Sequence, residues 1–435
     1  IAIDNGKIVA VTGDTHLPKA NKTINAKGNY VLPGIIDPHV HLGLLVPFDK
    51  DFKTETKSAA GGGVTTIIHL LIEKGSYKKT FEKNKKIGEK NSTVDFAYHA
   101  WIMSDQHLKE IPDCVNLGVS SFKFFMAYKG AEGEQLGIAS QDDGVLYFGF
   151  RKIADIGFPA LPMIHAENSE IIHRFKLDLM QKGRTDLAAW TDARQNFCEE
   201  EPMRRAIFLA KMANSSLYIV HMTIAEGVDL VAKAKSEGQR VIAETCPHYL
   251  TLTKHDKKIG VLGKVNPPLR DKASIERLWW GIQKGIVECI GSDHVTEMSE
   301  VKKGKGDIWS AFPGFPGMET ILPVMLSEGV NKRRITLNKL VEVCSTNTAK
   351  IFGLWPRKGT IDIGSDADLV IVNLKKEVTV KPQILHSASD FTLYDGWKLK
   401  GWPILTMVEG NIVMEDGEIT GKPGTGKYVP CKKAR

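Results

Sequence analysis

The chain has 435 residues, 42% hydrophobic and 25% charged, the proportions of an ordinary globular protein with enough apolar material for a large core. Its net charge of +7 does not mark a nucleic-acid or membrane binder, because the lysines fall in short runs mixed with acids and asparagine, as in YKKTFEKNKKIGEKNS, the pattern of a solvated helix face. The cysteines (Cys114, Cys198, Cys246, Cys289, Cys344, Cys431) are scattered with no C-x-x-C pair, which excludes a zinc finger or disulfide framework and points to a reducing cytoplasm; no apolar run reaches the ~20 residues needed to cross a bilayer.

The N-terminal stretch IAIDNGKIVAV reads as strand, Asn-Gly turn and strand. Because the chain opens inside that pattern, further residues are expected ahead of Ile1. KTINAKGNYVL continues the short-strand texture. From residue 32 the pattern changes. Apolar strands recur, each followed by a helical stretch: GIIDPHVH, TTIIHLL, VDFAYHAWI, VSSFKFFMAY, PALPMIHAE, SLYIVHMT, RVIAETCP and VECIGSDH. Strands alternating with helices predict an α/β fold with a parallel sheet, and eight parallel strands close into a (β/α)8 TIM-type barrel. Short alternating strands return in GTIDIGSDADLVIVNL, VTVKPQIL and ILTMVEGNIVMEDGEIT. Residues 32–354 are therefore expected to form the barrel, and residues 1–31 and 355–420 a small β-sandwich domain built from both chain termini. The Gly-, Pro- and Lys-rich tail, 421–435, is expected on a surface or against a neighbouring subunit.

The stretch LPGIIDPHVHLG, residues 32–43, ends its strand on His39 and His41. Side chains at i and i+2 of a strand share a face. The two imidazoles can reach one metal ion, or they can be a hydrogen-bonded pair in the core. Catalytic groups of such barrels sit at the C-terminal strand ends, and further strand ends carry Lys123 (SSFKFFMAY), His165 (MIHAEN), His221 (YIVHMT) and Asp293 (IGSDH). Neutral imidazoles with a carboxylate are typical ligands of zinc and similar divalent ions. Lys123 lies among Phe122, Phe124 and Phe125. Burial disfavours its ammonium and leaves a neutral, nucleophilic amine. Such an amine captures carbon dioxide to give a carbamate able to bridge two metals; the alternative is a lysine snorkelling to the barrel mouth or paired with an acid. His69, His248, His294 and the acids of NFCEEEP read as structural or supporting groups.

These residues and the motifs LPGIIDPHVHL, GVSSFKFFMAYKG, IHAEN, ETCPHYL, NPPLR, GSDH, STNTAKIFGLWPRKGTIDIGSDADLVI and GWP resemble the hydantoinase/dihydropyrimidinase group of cyclic amidohydrolases, within the amidohydrolase superfamily, over nearly the whole chain. The resemblance implies two divalent ions, zinc or manganese. His39, His41 and Asp293 would hold one and His165 and His221 the other, with N6-carboxylated Lys123 as the bridge. It implies ring opening of a small cyclic amide or ureide by a metal-bridging hydroxide. Asp293 would move the proton and Tyr128 stabilise the oxyanion. It also implies a homotetramer or homodimer.

The substrate contacts depart from that pattern. Asn266 stands where hydantoinases carry Ser, and Pro313, which has no N–H to donate, where they carry Asn; NPPLR is closer to allantoinases and dihydroorotases. The alternative is thus an allantoinase or another cyclic-ureide hydrolase. A non-enzymatic dihydropyrimidinase-like assembly protein would have lost metal ligands, and all six positions are intact here. Gly43 occupies the place of the dihydroorotase arginine that holds the substrate carboxylate, and no arginine precedes Arg151. An uncharged ring substituent is therefore expected, lodged in the space at Gly43 against an apolar wall from residues 44–48.

Overall fold

The apolar strands of the sequence assemble into one parallel sheet. In a computed structural model, which describes residues 1–13, 16–17, 19–128, 133 and 141–432, β1 (Ala2–Asp4), β2 (Lys7–Ala10) and β3 (Tyr30–Pro33) precede that sheet. Its strands are β4 (Ile35–His41), β5 (Val64–Leu71), β6 (Asp95–Trp101), β7 (Ser121–Phe125), β8 (Leu161–His165), β9 (Leu217–Ile219), β10 (Val241–Thr245), β11 (Cys289–Ile290) and β12 (His294–Val295). The nine strands run in the order β11-β10-β9-β8-β7-β6-β5-β4-β12, and β5 to β12 are buried along their whole length. Burial on both faces is why they read as nearly continuous hydrophobic runs.

The eighth expected strand, VECIGSDH, is interrupted. Its first part pairs with β10 and its second with β4, so residues 291–293 sit between the two ends of the sheet order. Asp293 at φ 52° breaks the extended backbone there, which separates β11 from β12.

One face of this sheet forms a cluster of Ile36, Ile68, Ala97, Met163, Tyr218 and Ile242. It is closed on one side by Phe352, Leu354, Val429 and Cys431. The tail is therefore no loose surface segment over its described part. The Phe96 N–H donates to the Lys427 carbonyl (3.0 Å), Val429 N–H to the Phe96 carbonyl (2.7 Å) and Cys431 N–H to the Gly118 carbonyl (2.9 Å). Composition hid this, because three buried side chains, Tyr428, Val429 and Cys431, among glycines and lysines suffice to anchor the segment. Residues 433–435 of the tail lie outside the described residues, as do Lys129 and Gly130 at the end of GVSSFKFFMAYKG.

A five-stranded antiparallel sheet has the order β16-β15-β14-β13-β3, with β13 (Leu369–Thr379), β14 (Lys398–Val408), β15 (Asn411–Glu415) and β16 (Glu418–Ile419). β3 from the front of the chain pairs with β13 from its end. The β1–β2 hairpin turns on Asn5 and Gly6, both at positive φ, as its Asn-Gly turn demands. Ile8 of this hairpin packs with Leu369, Ile371, Leu405 and Met407 of the larger sheet. Of KTINAKGNYVL only β3 is strand, and PQI of VTVKPQIL is a 3-10 turn. Among the described residues no helix is long and apolar enough to cross a membrane. The lysine-rich helix Tyr77–Asn91 buries only Tyr77, Phe81 and Gly88, so its lysines are a solvated face.

Candidate metal centre and active site

The C-terminal ends of the parallel strands bring all six expected ligands into one cluster. β4 carries His39 and His41 on one face. The Asp293 Oδ1 lies 3.0 Å from His41 Nε2 and 3.4 Å from His39 Nε2, and the ligand-capable atoms of these three residues all fall within 4.8 Å of one another. β8 ends on His165, and β9 is followed by His221. His165 Nδ1 and His221 Nε2 face each other at 2.9 Å. The two groups adjoin: the His39 and His221 rings stack at 5.3 Å, and Lys123 Nζ, from β7, is 3.4 Å from His39 Nε2.

Burial sets the protonation of this cluster. It pushes the Lys123 ammonium down to about 8, which makes a neutral amine accessible near neutrality. It also lowers His41, His165 and His221, which favours neutral imidazoles. For Asp293 burial acts upward, but His39, His41 and His221 around it hold the carboxyl well below the usual range. Neutral imidazoles, an ionised carboxylate and a buried amine form a donor set suited to zinc-type divalent ions. Buried His221 Nδ1, with no hydrogen-bond partner among the described residues, is a further unsatisfied polar atom at this centre. The residues fit the two-metal expectation.

Tyr128, His221 and Asp293 have φ of 68°, 37° and 52°. Non-glycine residues held there cost of order 1–3 kcal/mol each, and such strain clusters at functional sites. A cavity of about 200 Å³ opens above the cluster, lined by His41, Lys123, Tyr128, His165, His221 and Asp293. Asn266, Pro313 and Gly314 form one side, and Leu44, Leu45, Trp101, Phe125 and Phe312 give apolar wall. Asn266 and Pro313, expected to contact substrate, thus lie on the same cavity as five of the six expected ligands.

A family model for the amidohydrolase family matches residues 164–413, more than half of the chain. The chain belongs to the amidohydrolase family. It is 37% identical to the L-hydantoinase of Paenarthrobacter aurescens over 99% of this chain and 93% of that one. It is 38% identical to the D-hydantoinase of Geobacillus stearothermophilus over 100% and 93%. The solved structure of an L-hydantoinase (dihydropyrimidinase) from Arthrobacter aurescens matches with a TM-score of 0.92 at 36% identity, covering 98% of this chain and 95% of that one.

In this amidohydrolase the other residues singled out in the sequence have the following surroundings. His69 Nδ1 accepts from the Leu42 N–H at 3.1 Å. His294 bonds Glu55 at 3.1 Å, and His248 is buried with its ring 4.7 Å from that of Phe315. Of the NFCEEEP acids, Glu199 is buried and pairs with Arg270 at 2.8 Å, whereas Glu200 pairs with Arg204 and Glu201 with Arg205 at the surface.

Three supporting groups went unnoticed in the sequence. Glu167 accepts from His165 Nε2 (2.9 Å) and faces Arg194 (3.3 Å); Glu244 accepts from His39 Nδ1 (2.7 Å). Trp190 donates its indole N–H to Asn266 Oδ1 (3.2 Å), which leaves Asn266 Nδ2 to donate to the Tyr128 hydroxyl (3.3 Å). The available signal was a lone carboxylate inside an apolar strand or two residues beyond a ligand. The space expected at Gly43 is also taken. A Cβ there would lie 3.0 Å from the Phe48 ring, so Leu44 and Leu45 form the apolar wall without Gly43 or Phe48.

Proposed function

We propose that this amidohydrolase hydrolyses a ring amide of hydantoins or dihydropyrimidines. The observation that carries the reading is a six-residue donor cluster, five of whose members line a cavity of about 200 Å³, in a chain matched end to end by hydantoinases. His39, His41 and Asp293 are assigned to one metal, His165 and His221 to the other, and carboxylated Lys123 to both. Two divalent ions, zinc or manganese, would supply Lewis acidity and lower the pKa of a water between them. Lys123, held near 8, loses a proton, adds carbon dioxide through its nitrogen lone pair and releases a second proton from the resulting carbamic acid, which exchanges a disfavoured buried cation for an anionic carbamate.

Asp293 accepts the proton of the attacking water and returns it to the departing ring nitrogen, since its carboxylate faces both the histidines and the cavity. Tyr128 donates to the oxygen that gains charge, a contact worth a few kcal/mol. Asn266, with its amide oriented by Trp190, and the backbone around Pro313 face the ring's amide edge. We read the interrupted eighth strand as the seam of a closed (β/α)8 barrel, residues 32–354, with a small β-sandwich domain from residues 1–31 and 355–420. Six buried, unpaired cysteines favour a cytoplasmic setting. We further infer a homotetramer or homodimer, which sedimentation of the purified chain would test.

A turnover panel on the metal-loaded enzyme tests the substrate. Hydantoin, a 5-substituted hydantoin or dihydrouracil should be opened far faster than dihydroorotate. Gly43 stands at the position of the carboxylate-binding arginine and offers no cation there. A lost charge-assisted bond of about 1.5–3 kcal/mol is one to two powers of ten in kcat/KM. Faster turnover of allantoin would move the assignment to the ureide hydrolases, towards which Asn266 and Pro313 lean. Comparable efficiency on dihydroorotate would overturn the hydantoinase assignment.

A further inference from the structure

We propose that Glu244 is a positioning residue shared by both halves of the metal centre. The proposal rests on the two-metal reading above and concerns a residue that is not itself a ligand. Glu244 lies on β10 and is fully buried. Its Oε1 accepts from His39 Nδ1 at 2.7 Å and from the backbone N–H of His221 at 2.9 Å. Its Oε2 accepts from the Tyr218 hydroxyl at 2.8 Å.

Each bond has a separate consequence. A carboxylate only accepts, so His39 must carry its proton on Nδ1, which leaves the Nε2 lone pair directed at Asp293 and Lys123, each 3.4 Å away. An ionised acceptor behind a ligating imidazole also raises its basicity. The second bond holds the peptide of His221, whose φ of 37° is a conformation that a non-glycine residue keeps only when its surroundings impose it. One oxygen atom thus orients a side chain assigned to the first metal and the backbone of a residue assigned to the second. The Tyr218 hydroxyl pins the other oxygen and fixes the carboxylate's rotation. Close packing completes the seat: a Cβ on Gly291 would lie 2.9 Å from His39 Cβ and 3.0 Å from Glu244 Cδ, so the glycine of IGSDH lets Glu244 and His39 approach.

The test titrates metal-free protein with cobalt(II) alone and reads bound metal by elemental analysis and by its visible absorption. Glu244→Met, of similar length but with no acceptor, should weaken both equivalents by about tenfold or more, the usual cost of losing an outer partner of a ligand. Glu244→Gln keeps a carbonyl acceptor without the charge; it should recover part of the affinity at both sites, with a melting curve of the metal-free protein close to that of the parent. Loss confined to one equivalent in both variants, or unchanged binding of both, would overturn the shared role. A parent protein that binds fewer than two equivalents would instead remove the two-metal reading, and the proposal with it.

Discussion

At the scale of single residues, the chemistry depends on groups whose ordinary protonation has been reversed or locked. Asp293 is kept ionised by three histidines, so it can take up a proton only as the reaction supplies one. Asp293→Asn preserves the shape and removes the proton acceptor. Turnover is expected to fall by about 10²–10⁴-fold with an unchanged urea unfolding curve, and near-normal activity would end its assignment. Lys123 poses the opposite problem, a cation with 1% exposure held 3.4 Å from His39 Nε2. Lys123→Ala should lose the bridge and most of the metal, and a small added carboxylic acid should restore part of the activity by occupying the vacated space. Elemental analysis decides: two tightly held metals per chain in the alanine variant would refute the carbamate. Asn266 shows how a departure from the family pattern is accommodated. Its oxygen is occupied by Trp190, so its amide nitrogen faces Tyr128 and leaves the phenolic proton directed elsewhere.

At the scale of elements, strand ends place the proposed ligands and buried polar clamps hold the segments around them. Glu319, in the turn Met318–Thr320, accepts from the Ser58 hydroxyl (3.0 Å), the His386 N–H (2.7 Å) and His386 Nδ1 (2.7 Å). It joins the helix Phe48–Gly61 to the segment preceding β14. Gly62 is needed there because a Cβ would lie 2.6 Å from the Glu319 carbonyl oxygen. The Glu319 hydrogen bond raises His386 above its ordinary 6.5. A raised imidazole adds stability that is complete below about pH 6.5 and is lost as pH rises through the folded value. Across urea melts at pH 6 and pH 8 this group therefore contributes a loss on the alkaline side, opposed by His41, His165 and His221, whose values burial lowers. His386→Gln should remove that contribution and shift the difference between the two melts in favour of pH 8; an identical pH dependence in the variant would show that the clamp is not the source.

At the scale of the whole molecule, one buried cation ties the parallel sheet to the antiparallel one. Lys358, with its side chain 1% exposed, reaches Asp368 at 2.6 Å, Asp366 at 2.9 Å and also Asp95. Asp95 opens β6, whereas Asp366 and Asp368 precede β13. Burial acts to discharge Lys358, but the carboxylates hold its pKa above the ordinary lysine value. Lys358→Met would leave those buried carboxylates short of a partner and should cost about 3–5 kcal/mol in chemical denaturation, with metal content preserved in the folded fraction. A loss below 1 kcal/mol would mean that Lys7 and Arg357, both already on Asp366, carry the balance alone.

The sequence by itself marked the strand–helix alternation, the antiparallel strands at both ends and the six positions proposed as metal ligands. Each of these is a local signal: periodicity reports burial of an element on its own, and a histidine or lysine at the end of an apolar strand stands out against its neighbours. Only the tertiary structure decided which residues share a contact across strands. Glu244 sits in the quoted ETCPHYL, yet its partners His39, Tyr218 and His221 come from other strands or their ends, so no spacing could point to it. The same holds for Trp190 behind Asn266, for Phe48 over Gly43, and for the tail, whose Val429 and Cys431 count as apolar anchors only once the parallel strands beneath them are in place. Packing and hydrogen-bond geometry couple residues far apart in the chain, and local patterning carries no record of those distances.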